Sequence, residues 1–187
     1  LRKAPVPLDR AELQAVFSRT VGGLQVLYQP IVEARTGQPV GYEALMRSNE
    51  RQLPDPGSVL SAAERLGRVV QLGRTVRRRT AADLEAHPGV TVFVNLHPEE
   101  LLDDQLYDPH SPLARFATSV ILEVTERERI ELIDDLPSRV TALRRLGYRL
   151  AVDDMGAGYA GLSSFARLQP EFAKIDMSLV RDIDRRP

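Results

Sequence analysis

The chain has 187 residues, 43% of them hydrophobic and 27% charged, and its 25 Lys and Arg against 26 Asp and Glu leave a net charge of −1. That balance excludes nucleic acid as a partner of the whole surface, so functional charge has to be local. The absence of cysteine removes disulfides, thiolate metal sites and cysteine nucleophiles; no apolar run reaches the ~18–20 residues of a membrane span and no signal-peptide pattern opens the chain, so a cytoplasmic domain without membrane contact is expected.

Asp9, followed three positions on by Glu12, has the pattern of a capping box and opens an amphipathic helix with Leu13, Val16 and Phe17 on one face. Residues 24–32 and 40–47 read as strands. The link between them, 33–39, is too short for a parallel crossover and calls for an antiparallel hairpin. Helix and strand then alternate. Helices are predicted over 58–66 and 68–86, a strand over 90–95, helical turns over 98–102 and 112–117, and a strand over 120–124. A helix over 135–146, with Leu136, Val140, Leu143 and Leu146 on one stripe, stops at Gly147. A strand over 149–153, a Gly-rich loop, a helix over 162–168, a strand over 172–175 and a helical start complete the chain.

Continuous apolar runs such as Val120-Ile121-Leu122 suit a parallel sheet covered on both faces. The pattern gives one α/β domain over residues 1–187, either an open doubly wound sheet or a barrel. A (β/α)8 barrel takes ~250 residues, so this chain falls about two strand–helix units short of one.

Polar residues interrupt these strands at informative places. Glu43, Asn95, Glu123, the pair Asp153-Asp154, and Lys174 with Asp176 lie on five different strands, at the end where barrels and open α/β sheets hold their sites. Taken singly, each reads as a strand-end cap or a surface ion-pair partner, and Asp-Asp before glycine is ordinary turn chemistry. Together they form a set of hard oxygen donors, which suits Mg²⁺ or Mn²⁺ better than zinc or copper. Adjacent aspartates allow one carboxylate to bridge two ions, the arrangement of two-metal phosphodiester hydrolysis.

In order along the chain stand Tyr28-Gln29-Pro30-Ile31, Glu43-Ala44-Leu45 with Arg47, and Asn95-Leu96 before Pro98. Glu123-Val124-Thr125-Glu126, Asp153-Asp154-Met155-Gly156-Ala157-Gly158-Tyr159 and Lys174-Ile175-Asp176 follow. This series resembles the EAL domain family, cyclic di-GMP phosphodiesterases, over nearly the whole chain. The resemblance implies a modified TIM (β/α)8-type barrel with one antiparallel strand, and hydrolysis of cyclic di-GMP to linear pGpG. It assigns Glu43, Asn95, Glu123 and Asp153 to one divalent cation, and Asp153 and Asp154 to a second. Lys174 would act on the attacking water beside the catalytic carboxylates Glu43, Asp153 and Asp154. Gln29, Arg47 and Asp176 would contact the nucleotide, and Glu126 would anchor the 153–159 loop. A homodimer, fused to sensory or other signalling domains, is the family's usual setting.

Several positions depart from the family pattern. Met155 and Ala157 replace the usual Phe and Thr, Ala160-Gly161 stands where serines are common, and His97 replaces serine. The family's seventh-strand glutamate and late Gln-Gly motif belong beyond Pro187, so the last two strand–helix units are expected to be absent and the 187-residue chain to be poorly active alone. The competing reading is an inactive EAL module that acts as a cyclic di-GMP receptor or interaction domain; a two-metal hydrolase of another phosphate ester is a third. His87, His97 and His110, each beside proline, read as turn or cap residues, and Arg74, Arg77, Arg78 and Arg79 as a solvated helix face.

Overall fold

A computed structural model describes residues 8–125, 130, 133–156 and 161–183. Helix α1 (Arg10–Gly23) begins at the expected capping box, where Asp9 accepts from the Glu12 amide at 2.8 Å and Glu12 accepts from the Asp9 amide at 3.2 Å. Strands β1 (Gln25–Val32) and β2 (Pro39–Arg47) pair antiparallel as the short link requires. Helices α2 (Pro56–Leu66) and α3 (Val69–Ala86) lead into β3 (Val92–Asn95), and three short 3-10 turns, η1 (Pro98–Leu102), η2 (Asp104–Leu106) and η3 (Ala114–Ser119), into β4 (Val120–Thr125). Then come α4 (Leu136–Leu146), β5 (Arg149–Met155), α5 (Gly161–Leu168), β6 (Phe172–Ile175) and α6 (Met177–Val180).

Among the described residues the sheet has six strands in sequential order, with β2 to β6 parallel. Strands lie ~4.8 Å apart, so β2 and β6 would be separated by roughly 19 Å in a flat sheet. Yet Lys174 on β6 reaches Glu43 on β2 at 3.1 Å. The sheet is therefore curled into a half-barrel, and the concave face collects the polar strand residues.

The main core fills the convex face. Val92, Val94, Val120, Leu122, Val124, Leu150 and Val152 alternate outward from the strands and meet Leu136, Val140 and Leu143 of α4. Gly147 ends α4 at φ 103°, a left-handed conformation that costs other residues strain, and a Cβ there would press on Thr118 at 3.0 Å. A second cluster joins Leu13, Val16 and Phe17 of α1 to Val59, Ala62 and Ala63 of α2 and to Val69 and Leu72 of α3. On the concave face Phe93, Ile121 and Ala151 form a small apolar cluster, with Ile31 against it.

Of the four arginines of α3 expected on a solvated face, Arg74 and Arg78 are exposed and Arg79 is half-buried, whereas Arg77 departs from that expectation. Arg77 is buried and donates to Glu100 and, at 2.6 Å, to Asp103, while Arg74 grips Asp103 through Nε at 3.0 Å and Nη2 at 2.6 Å. Only Arg74 and Arg77 are drawn to the acids, Glu100 in η1 and Asp103 directly after it, while Arg79 donates to the Gly22 carbonyl at 2.9 Å. The histidines do cap or turn: His97 Nδ1 accepts from the Glu99 amide at 3.1 Å, and His87 Nδ1 lies 2.9 Å from the Asp83 carbonyl.

Glu171 ties β5 to β6, accepting from the Leu150 amide at 2.8 Å and from Arg144 at 2.9 Å. Burial works against its charged form, but these two donors outweigh it and hold the carboxyl below its ordinary value. The resulting stability is complete above the ordinary carboxylate range of ~4 and is lost as pH falls through the depressed native value. Urea midpoints measured from pH 6 to pH 3 are expected to fall less steeply in Glu171→Gln than in the parent; identical slopes would contradict the assignment. Leu122, fully buried on the central strand, should cost about 2–5 kcal/mol on replacement by Ala in the same assay.

Candidate functional site

Strand periodicity and register decide which side chains share the concave face. Gln29 pairs with Glu43, Glu43 with Phe93, Asn95 with Glu123, and Glu123 with Ala151. Register partners point to the same side, and residues two apart along a strand do as well. Gln29, Glu43, Arg47, Asn95, Glu123, Asp153 and Lys174 consequently occupy one face, with the Phe93–Ile121–Ala151 cluster at its floor. Phe172 extends that floor, its ring edge-on to Phe93 at 5.6 Å between centroids.

The centre of the face is the Lys174 ammonium. Its Nζ lies 3.1 Å from Glu43 Oε2, 3.0 Å from Glu123 Oε1 and 3.4 Å from Asp153 Oδ2, and it donates to Glu123 Oε2 at 3.2 Å. The Asn95 amide donates to Glu43 Oε1 at a long 3.4 Å. Glu123 is 0% exposed. Burial pushes its carboxyl up to about 7, although Lys174 opposes the shift. For Lys174 burial works against the charge, and Glu123, Asp153 and Glu43 together outweigh it, keeping the ammonium above its ordinary value.

β5 and β6 pair irregularly at this point. Val152 faces Ala173 and Met155 faces Ile175, so Asp153 and Asp154 together stand opposite Lys174. This bulge places two consecutive acids at one strand end. Asp154 takes φ 57°, a left-handed conformation that aspartate tolerates better than most side chains, and its amide donates to Asp153 Oδ1 at 2.9 Å.

Three carboxylates facing one ammonium leave negative charge undercompensated in a partly desolvated cleft. Glu123 Oε1, although near Nζ, accepts no hydrogen bond and is a buried oxygen aimed into the cluster. With Asn95 as a neutral oxygen donor, this set has the chemistry of a hard divalent cation. In the arrangement described, the three carboxylates converge on the ammonium, and among the described residues no group of three His, Cys, Asp or Glu side chains is spaced to hold an ion as it stands.

The other predicted residues are placed as follows. Arg47, half-buried at the end of β2, donates to the Met46 carbonyl at 2.9 Å, and Gln29 is exposed on β1. Asp176 caps α6, accepting from the Ser178 amide at 2.8 Å, while its own amide donates to the Met155 carbonyl at 3.0 Å. Glu126 and residues 157–160 of the Gly-rich loop lie outside the described residues. Sequence reading missed the Arg77–Glu100–Asp103 cluster beside Asn95. Its signal was there as matched spacings, 74/77 on a helix and 100/103 on the following turn.

Because Lys174 compensates three acids, Lys174→Met should lower stability by roughly 1–3 kcal/mol in chelator, the range for a partly buried charge left unpaired. Glu123→Gln/Lys174→Met should recover most of that loss in thermal melts. An unchanged melting temperature in Lys174→Met would show that the ammonium does not hold the cluster together.

The family model described as "EAL domain" matches residues 10–187. A curated relative from Escherichia coli K12, "Probable cyclic di-GMP phosphodiesterase PdeG", is 28% identical over 89% of this chain and 35% of its own length. The manganese/cy-diGMP complex of Klebsiella pneumoniae BlrP1 superposes with a TM-score of 0.71 at 33% identity, covering 86% of this chain and 42% of that one. The calcium/cy-diGMP complex of BlrP1 gives 0.70 at 30% identity, covering 96% and 44%. The chain spans about a fifth to a third of the length of the first curated relatives it matches. No helix among the described residues is long and apolar enough to cross a membrane. By the family model and by the ordered acidic strand ends alike, the chain belongs to the EAL domain family.

Proposed function

We propose that this domain is the catalytic module of a metal-dependent phosphodiesterase that opens cyclic di-GMP to linear pGpG. The observation that carries the reading is the convergence of Glu43, Glu123 and Asp153, with Asn95 alongside, on one undercompensated point of the concave face. The relatives support the substrate: PdeG is named for cyclic di-GMP hydrolysis, and BlrP1 is seen with cy-diGMP and manganese or calcium.

Glu43, Asn95, Glu123 and Asp153 would hold one Mg²⁺ or Mn²⁺, and Asp153 and Asp154 would contribute to a second. Bound divalent ions supply an activated water and neutralise charge developing on the phosphate. Lys174, kept cationic by its acidic neighbours, orients that water. Arg47 pairs with a phosphate oxygen, and Gln29, Asp176 and the concave floor orient the nucleotide. Glu126 anchors the loop after β5. The curled sheet is read as part of a TIM-type barrel with one antiparallel strand, working as a homodimer in a cytoplasmic signalling protein with further domains.

A second reading, a receptor that binds cyclic di-GMP without cleaving it, is favoured by Lys174 standing where the carboxylates converge. The two separate in one assay on the protein carrying this domain. Incubation with cyclic di-GMP and Mn²⁺ or Mg²⁺ is expected to yield pGpG, to stop on chelation, and to fall at least about a hundredfold in Glu43→Ala. Retained binding of cyclic di-GMP with no pGpG would establish the receptor instead.

A further inference from the structure

On the far side of β3 from the concave face lies a second buried charge cluster. Side chains of Arg77 and Glu100 are 8% and 5% exposed and that of Asp103 is fully buried. Glu100 joins two partners: Oε2 accepts from Arg77, and Oε1 accepts from the His97 backbone amide at 3.0 Å. Asp103 holds Arg77 and Arg74 together and also accepts from the Gln105 amide at 3.0 Å. Each oxygen of Glu100 is thus committed, one to the helix and one to the loop.

Gly73 makes room for this. It lies one turn before Arg77 in the interior of α3, where glycine is a poor helix former, and a Cβ there would overlap the Glu100 carboxylate. Gly73, Asn95, His97 and Glu100 line one cavity of about 290 Å³. The loop so gripped starts directly after Asn95. Leu96 is fixed to β4 by its amide, 2.8 Å from the Glu123 carbonyl, and His97 is fixed to α3 through Glu100. Among the described residues, the contact that orients the exposed Asn95 side chain is the long one of 3.4 Å to Glu43. Its orientation is therefore set largely by the backbone on either side.

We propose that Glu100 and Arg77 are positioning residues for Asn95, an inference that rests on reading Asn95 as a metal ligand. They touch neither cation nor substrate. They hold the turn after β3 so that the Asn95 amide faces Glu43 and Glu123, as outer partners of a metal site orient its ligands.

The test removes the grip without stranding a charge. In Arg77→Met/Glu100→Met the two charges leave together and the Arg74–Asp103 pair stays, so the fold is expected to survive. Gly73→Ala provides a second disturbance with every charge in place. Calorimetric titration with Mn²⁺ alone should show affinity about tenfold weaker in both variants. Adding Asn95→Ala to either should weaken it little further, since coupled residues are not additive. The Asn95 side-chain NH₂ resonance should shift in both variants without metal. Mn²⁺ affinity within about twofold of the parent, or full additivity with Asn95→Ala, would overturn the proposal. If the parent itself binds no Mn²⁺, the metal-site reading fails, and an unmoved Asn95 resonance would then overturn the positioning role as well.

Discussion

The arrangement depends on one desolvated carboxylate. Glu123 sits on β4 in the middle of the sheet, fully buried, with apolar neighbours before and after it in sequence. A charge so placed is tolerated only with a compensating cation close by. Its two neighbouring strands offer none: β3 brings an amide and β5 more acid. Compensation comes from Lys174, two strands away, and the same ammonium has to serve Glu43 across the width of the sheet. Curl, strand order and site are thus aspects of one electrostatic requirement.

Two buried charge clusters flank β3, and they follow opposite logic. Around Asp103 and Glu100 the acids and guanidinium groups are matched, with geometry that satisfies the carboxylate oxygens. Around Lys174 they are not matched, and Glu123 retains an oxygen that accepts no hydrogen bond. A balanced cluster stabilises a turn in one place. An unbalanced one keeps a standing attraction for further positive charge, which is what separates a site from a staple.

Much of this was legible in the residues. The Asp9–Glu12 cap, the hairpin forced by a short link, the α4 stripe and the α/β alternation all follow from local pattern. So does the convergence of Glu43, Asn95, Glu123 and Asp153, since a carboxylate inside an apolar strand is costly unless a cation or a donor meets it there. Tertiary contact set what could not be read. Among four arginines in one helix, Arg77 looks as solvated as Arg78 until the turn after β3 brings Glu100 and Asp103 against it. Lys174, expected to act on water, stands among the acids because the curl brings β6 toward β2, and no sequence spacing encodes that distance.

The bulge at Asp153-Asp154 has one more consequence. Upstream of it Val152 points to the outer core; three positions later, Met155 also packs against that core. Strict alternation would have sent Met155 inward. The extra residue therefore shifts the phase of β5, so that the strand is read in one frame before the acids and in the other after them. Deleting a single residue there would restore regular pairing with β6 and leave methionine facing the outer core, at the cost of one of the two acids. The extra residue is thus what lets one strand end carry two consecutive acids while the methionine after them still faces the outer core.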